Sequence, residues 1–132
     1  MELSKVIKTG VKKHPPRLFI YGEEKIGKSS LAALAPNPIF VCGESGLIGP
    51  QFESTANYTP GNWADLKDFV KTLAAPGHQY QTIVLDTLDW VEPILFHHVC
   101  AKNGKADIEA FGYGKGYIAA ADEFRLLLAD ME

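Results

Sequence analysis

The chain has 132 residues, with 13 Lys and Arg against 16 Asp and Glu, giving a formal charge of −3. That length holds one domain with a real core and no need of metal or disulfide staples. The 46% hydrophobic and 22% charged fractions exclude a wholly disordered or collagen-like chain. The acidic balance argues against a chain-wide electrostatic grip on nucleic acid and leaves room for local basic patches.

No apolar run reaches the roughly 18 residues of a membrane span. Met1-Glu2-Leu3-Ser4-Lys5 does not open a signal peptide, so a cytoplasmic protein with no membrane partner is expected. Cys42 and Cys100 lie far apart and outside any Cys-x-x-Cys spacing, which predicts free buried thiols.

Residues 1–16 carry Lys5, Lys8, Lys12 and Lys13 and end in His14-Pro15-Pro16, a pair that neither continues a helix nor sits in a central strand. They read as a flexible N-terminal arm, leaving 17–132 as the folded core. Arg17-Leu18-Phe19-Ile20-Tyr21 is a short apolar run halted by Gly22 and reads as a buried strand. A helix over 28–35 follows, stopped by Pro36 and Pro38. Ile39-Phe40-Val41-Cys42 reads as a second buried strand, and 47–61 shows no period.

Asn62 is a helix cap with Asp65 three positions on, and Trp63, Leu66, Val70 and Leu73 make an apolar stripe closed by Ala75-Pro76-Gly77. Thr82-Ile83-Val84-Leu85-Asp86 is the third strand. Asp89 to Glu92 has capping-box spacing, with Pro93 expected in the first turn of a helix running to about Lys102. After a polar, glycine-rich stretch, a last helix is expected from about Tyr117, with Ala121, Phe124 and Leu128 on its stripe. Alternating strands and helices with continuous apolar strands indicate an α/β fold, a parallel sheet with helices on both faces.

The chemistry is concentrated in Gly22-Glu23-Glu24-Lys25-Ile26-Gly27-Lys28-Ser29, a full match to G-x-x-x-x-G-K-[ST] between a strand and a helix. Glycines let backbone wrap an anion, and amides at a helix start, Ser30 included, point toward it. Lys28 would reach the β- and γ-phosphates, and the Ser29 hydroxyl would ligate Mg²⁺. Glu23 and Glu24 should turn their side chains to solvent. Asp86 at a strand end suits the carboxylate that holds Mg²⁺. Glu44, after the neighbouring strand, stands where a carboxylate can orient an attacking water. Lys102, Lys105, Phe111, Tyr113 and Lys115 combine cations with rings, the combination a single-stranded nucleic acid needs; an ordinary surface loop fits them equally. His97 and His98 read as surface or helix-end residues, and Trp63 and Trp90 as packing rather than binding residues.

Taken in order, Gly22 to Ser29, Phe40-Val41-Cys42-Gly43-Glu44 and Ile83-Val84-Leu85-Asp86-Thr87 make the chain resemble a RecA-like P-loop ATPase. More narrowly, it is similar to the compact phage-encoded ATP-binding proteins of single-strand annealing and recombination modules. The resemblance implies ATP and Mg²⁺, Glu44 as catalytic glutamate, a first DNA-binding loop over 103–116, a homo-oligomer, and the cytoplasm of a bacterial host. It also implies a further strand between the phosphate-loop strand and the Asp86 strand, so either the chain is a fragment of a longer protein, the favoured reading, or a partner fills the gap; low stability and weak or absent turnover are expected. Two other readings stand beside an ATPase on single-stranded DNA: a nucleotide-dependent regulatory module, and a small-molecule kinase, the latter disfavoured by the lack of an arginine-rich lid.

Overall fold

The computed structural model describes residues 1–11 and 13–132, so Lys12 of the N-terminal arm lies outside the described residues. The other arm residues are exposed, with one helical turn, α1, at Leu3–Val6. The core is an α/β unit: β1 (Pro38–Cys42), β2 (Asn57–Tyr58) and β3 (Thr82–Asp86) form a parallel sheet in the order β2-β1-β3. Parallel strands joined through helices make this an α/β architecture.

The order follows from composition. Ile39, Phe40, Val41 and Cys42 are apolar without interruption, and β1 takes the central place, where both faces are covered. Val41 joins the cluster of Trp63, Leu66, Val70, Val91, Leu95, Val99, Ala120 and Leu127, while Phe40, on the opposite face, packs 6.4 Å from the Phe52 ring. The strand entrances are tied together by Thr82 Oγ1 donating to the Pro36 carbonyl at 2.8 Å and Asn37 Nδ2 donating to Gln81 Oε1 at 2.9 Å.

Helices α3 (Trp63–Ala74), α4 (Leu88–Lys102) and α5 (Lys115–Asp130) supply the rest of the core, and α2 is a short helix at Lys28–Ala32. Asn62 caps α3 as its side chain predicts, accepting from the Asp65 N–H at 2.9 Å. Trp63 Nε1 and Lys67 Nζ both donate to Glu123 Oε1, at 2.9 and 3.1 Å, and His98 Nε2 stands 3.8 Å from the same oxygen. One buried carboxylate therefore joins α3, α4 and α5. Burial raises the Glu123 pKa, but hydrogen bonds from Trp63 and Lys67 and the charges of Lys67 and His98 outweigh it, and the net shift is downward. His98 is thus half-buried beside a carboxylate, not a plain surface residue.

Four further expectations are corrected. Residues 17–21 are not a buried strand: they make no ladder, and Leu18 and Phe19 are 83% and 72% exposed. Apolar composition suffices for a strand only where a neighbouring edge offers its backbone, and β3 pairs with β1 alone among the described residues. Arg17 anchors the segment instead, donating from Nη2 to the Leu128 carbonyl at 3.2 Å and pairing with Glu132.

Next, α4 starts at Leu88 with Thr87 as cap, so Pro93 lies inside the helix, not in its first turn. The capping-box spacing at Asp89 misplaces the start because the chain turns helical directly after the strand-end carboxylate. On α5 the buried residues are Gly116, Ala120, Glu123 and Leu127, one position off the expected stripe, because the helix begins at Lys115 and carries a buried carboxylate. Finally, the stretch after α4 holds a turn of 3-10 helix at Ile108–Phe111, capped by Asp107, whose Oδ1 accepts from the Ala110 N–H at 2.8 Å. Its Phe111 packs against the core and is no free ring for base stacking. Cys42 and Cys100 are free and buried, as expected.

Candidate nucleotide site

The carboxyl ends of β1 and β3 and the start of α2 surround one cleft of about 950 Å³. It is the location where open parallel sheets bind ligands, because loops leave adjacent strands there in diverging directions. Lys25, Gly27, Lys28, Ser29 and Ser30 line it from one side, Gly43 to Ile48 from another, and Asp86, Thr87, Asp89 and Trp90 from the third.

The glycine-bearing loop turns into α2 at Gly27, whose φ of 106° is left-handed. A side chain there would be strained, and that geometry lets the backbone reverse and present the N–H groups of the first helical turn, which lack partners within the helix. Lys28 Nζ donates to the Gly22 and Glu23 carbonyls of the same loop, at 2.6 and 2.7 Å. The ammonium is held over the loop, where an anion in the cradle would meet it. Glu23 and Glu24 are exposed, and neither lines the cleft. Gly22 and Ile26 are also exposed and complete the loop outside the cleft lining.

Across the cleft, Ser29 Oγ donates to Asp86 Oδ2 at 2.5 Å. A hydroxyl and a carboxylate brought together beside a lysine are hard oxygen donors, and this pair fits a Mg²⁺ ion accompanying a phosphate chain. Beneath them burial, and secondarily the Asp86 charge, push the Cys42 thiol up to about 11, so it stays neutral and acts as packing.

Glu44 is exposed at the cleft wall, in a turn closed by the Gly46 N–H donating to the Gly43 carbonyl at 2.9 Å. The Lys28, Ser29, Ser30, Glu44 and Asp86 set, spread over the sequence, is therefore assembled in one place. The nucleic-acid candidates are not part of it: Lys102, Lys105, Phe111, Tyr113 and Lys115 line no wall of this cleft. Lys105 Nζ lies 5.9 Å from the centroid of the inward-packed Phe111 ring. Tyr113, by contrast, is fully exposed, with φ of 51° between Gly112 and Gly114.

Trp90, expected to pack rather than bind, also lines the cleft. The available signal was position: Trp90 follows Asp86 by four residues, and residues just past a strand end in such sheets face the ligand crevice.

Comparison with known families decides the class: residues 14–132 match the model of an AAA domain family. The chain belongs to the AAA domain family. It is thus a nucleotide-binding domain of the ATPase type, in keeping with the loop, the strand-end carboxylate and the parallel sheet. Comparisons with curated proteins and with solved structures returned no match. No helix among the described residues is long and apolar enough to cross a membrane.

Proposed function

We propose that this AAA domain binds ATP with Mg²⁺ in the cleft and hydrolyses it. The observation that carries the reading is the convergence of the phosphate loop, Glu44 and Asp86 on a single cleft, with Ser29 and Asp86 in hydrogen-bond contact across it.

In this reading the loop from Gly22 to Ser30 holds the phosphates through backbone N–H groups, with Lys28 on the β- and γ-oxygens. Ser29 and Asp86 would hold Mg²⁺, which would neutralise charge on the phosphate chain. Glu44 takes a proton from water as the water oxygen bonds to the γ-phosphorus. The bond from that phosphorus to the β–γ bridging oxygen breaks, and ADP and phosphate leave.

The wider role we propose is RecA-like, acting on single-stranded DNA in phage recombination or replication, in the host cytoplasm, as a homo-oligomer. The support is residue chemistry: Tyr113 is exposed on a glycine-flanked turn with Lys115 beside it, and Lys102 and Lys105 lie at the preceding helix end. A second reading, a regulatory module that holds ATP without useful turnover, is favoured by the unpaired segment 17–21, which leaves the strand side of the phosphate loop without sheet support.

Phosphate release from Mg·ATP, with and without single-stranded DNA and with Lys28→Ala as blank, tests the proposal. DNA-stimulated release that vanishes in the blank supports the full reading. Release without stimulation removes the DNA role, and ATP binding without release leaves the regulatory module.

A further inference from the structure

We infer that Trp90 is a positioning residue for Glu44, an assignment that rests on the hydrolysis reading above. It begins at Gly43. A Cβ built there would lie 3.0 Å from Trp90 Cγ and 3.2 Å from its Cβ and Cδ1, so the backbone at the end of β1 rests directly on the indole. Glu44 is the next residue. Its turn is closed by the Gly46 N–H on the Gly43 carbonyl at 2.9 Å, and the Thr59 hydroxyl donates to the same carbonyl at 3.4 Å.

Trp90 belongs to the first turn of α4, which leaves β3 immediately after Asp86. Trp90 is also partly buried and packs against the hydrophobic core. One rigid segment therefore carries both the strand-end carboxylate and the platform under the Glu44 turn, and the spacing between Asp86 and Glu44 is set through the indole.

A second observation concerns the same ring. Trp90 Nε1 is buried and has no hydrogen-bond partner among the described residues. Native structures seldom leave such a donor unmatched, so this one calls for a partner. Trp90 and Glu44 line the same cleft. The indole N–H is the donor that becomes satisfied when the Gly43–Gly46 turn closes on a bound triphosphate, and that contact holds the Glu44 carboxylate toward the water.

The experiment compares wild type, Trp90→Phe, Gly43→Ala, Glu44→Gln and the Trp90→Phe/Glu44→Gln double variant. Phosphate release gives kcat, and fluorescently labelled ATP gives affinity. Trp90→Phe keeps a ring and removes the N–H; loss of one hydrogen bond made only in the closed state predicts about a tenfold lower kcat, with affinity unchanged. Gly43→Ala pushes the turn off the ring and should show the same split. The double variant should be no slower than Glu44→Gln alone, since both changes act on one group.

An unchanged kcat in Trp90→Phe, affinity falling in step with kcat, or additive losses in the double variant overturns the assignment. Absence of release by wild type above Lys28→Ala overturns the hydrolysis reading instead. Trp90 is then judged by emission, as the difference between wild type and Trp90→Phe. A shift with Mg·ATP that Mg·ADP does not give sustains the coupling to the turn, and no shift removes it.

Discussion

Ser29 Oγ donates to Asp86 Oδ2 at 2.5 Å, although 57 positions separate the two residues. The bond spans the start of α2 and the end of β3, two elements that share no strand ladder. It places the loop that would hold a phosphate chain against the carboxylate that would hold its cation. Asp86→Asn keeps the side-chain shape and removes the charge. It should lower phosphate release about 100-fold or more, the scale of losing a preorganised charge at a phosphoryl-transfer site, and raise the Mg²⁺ concentration needed. Release measured across a Mg²⁺ titration checks this, and a wild-type titration curve in the variant would remove Asp86 from the site.

Glu44→Gln should separate binding from chemistry. Loss of a general base costs about 10²–10⁴ in rate. The side chain is exposed, so ATP affinity and melting midpoint should stay at wild-type values. Equal phosphate release by wild type and variant would leave the regulatory reading in place.

Gly116→Ala tests the junction between the 3-10 turn at 108–111 and α5. A Cβ at Gly116 would sit 2.2 Å from the Ile108 carbonyl oxygen and 2.9 Å from Phe111 Cδ2. Backbone has to move, which predicts a loss of about 1–3 kcal/mol despite alanine's better helix propensity. Denaturant melts measure it, and a stabilised variant would mean that the turn packs elsewhere.

The Glu123 cluster makes stability depend on acid. With a folded-state pKa below the ordinary 4.5, Glu123 contributes stability that is present above that value and lost as pH falls through the lowered one. Melting midpoints should decline on acidification through this window. Glu123→Gln should flatten this part of the profile, and at neutral pH should cost about 1–3 kcal/mol, because Lys67 loses its charge partner. A profile unchanged by Glu123→Gln would show that other carboxylates carry the acid sensitivity.

Leu18→Asp and Phe19→Asp distinguish the exposed segment from the buried strand that its composition suggests. At exposed positions each should change stability by no more than about 0.5 kcal/mol. Leu66→Ala, in the core beside Val41, should cost about 2–5 kcal/mol in the same melts. A core-sized loss at Leu18 or Phe19 would mean that residues 17–21 are packed in solution.

Much of this was legible locally. Asn62 capping α3, the aliphatic runs of β1 and β3, and the Gly22–Ser29 loop with Lys28 over its own carbonyls follow from neighbours in sequence, whose physics is short-ranged. The run Leu18 to Tyr21 shows the limit. Its residues are as strand-like as those of β1, but a strand is defined by a partner's backbone, and apolar content says nothing about whether an edge is there to pair with.

The α/β class, the Gly22–Ser29 loop and the strand-end carboxylate are readable from the residues alone, because spacing within a few residues fixes those features. Long-range packing sets the place of β1 between β2 and β3, the inward turn of Phe111 while Tyr113 stays in solvent, and the junction of α3, α4 and α5 at Glu123. The seating of the Glu44 turn on Trp90 is set by it too. These depend on contacts between residues far apart in the chain, where packing density and the pairing of buried polar groups select one arrangement among many that the local pattern allows.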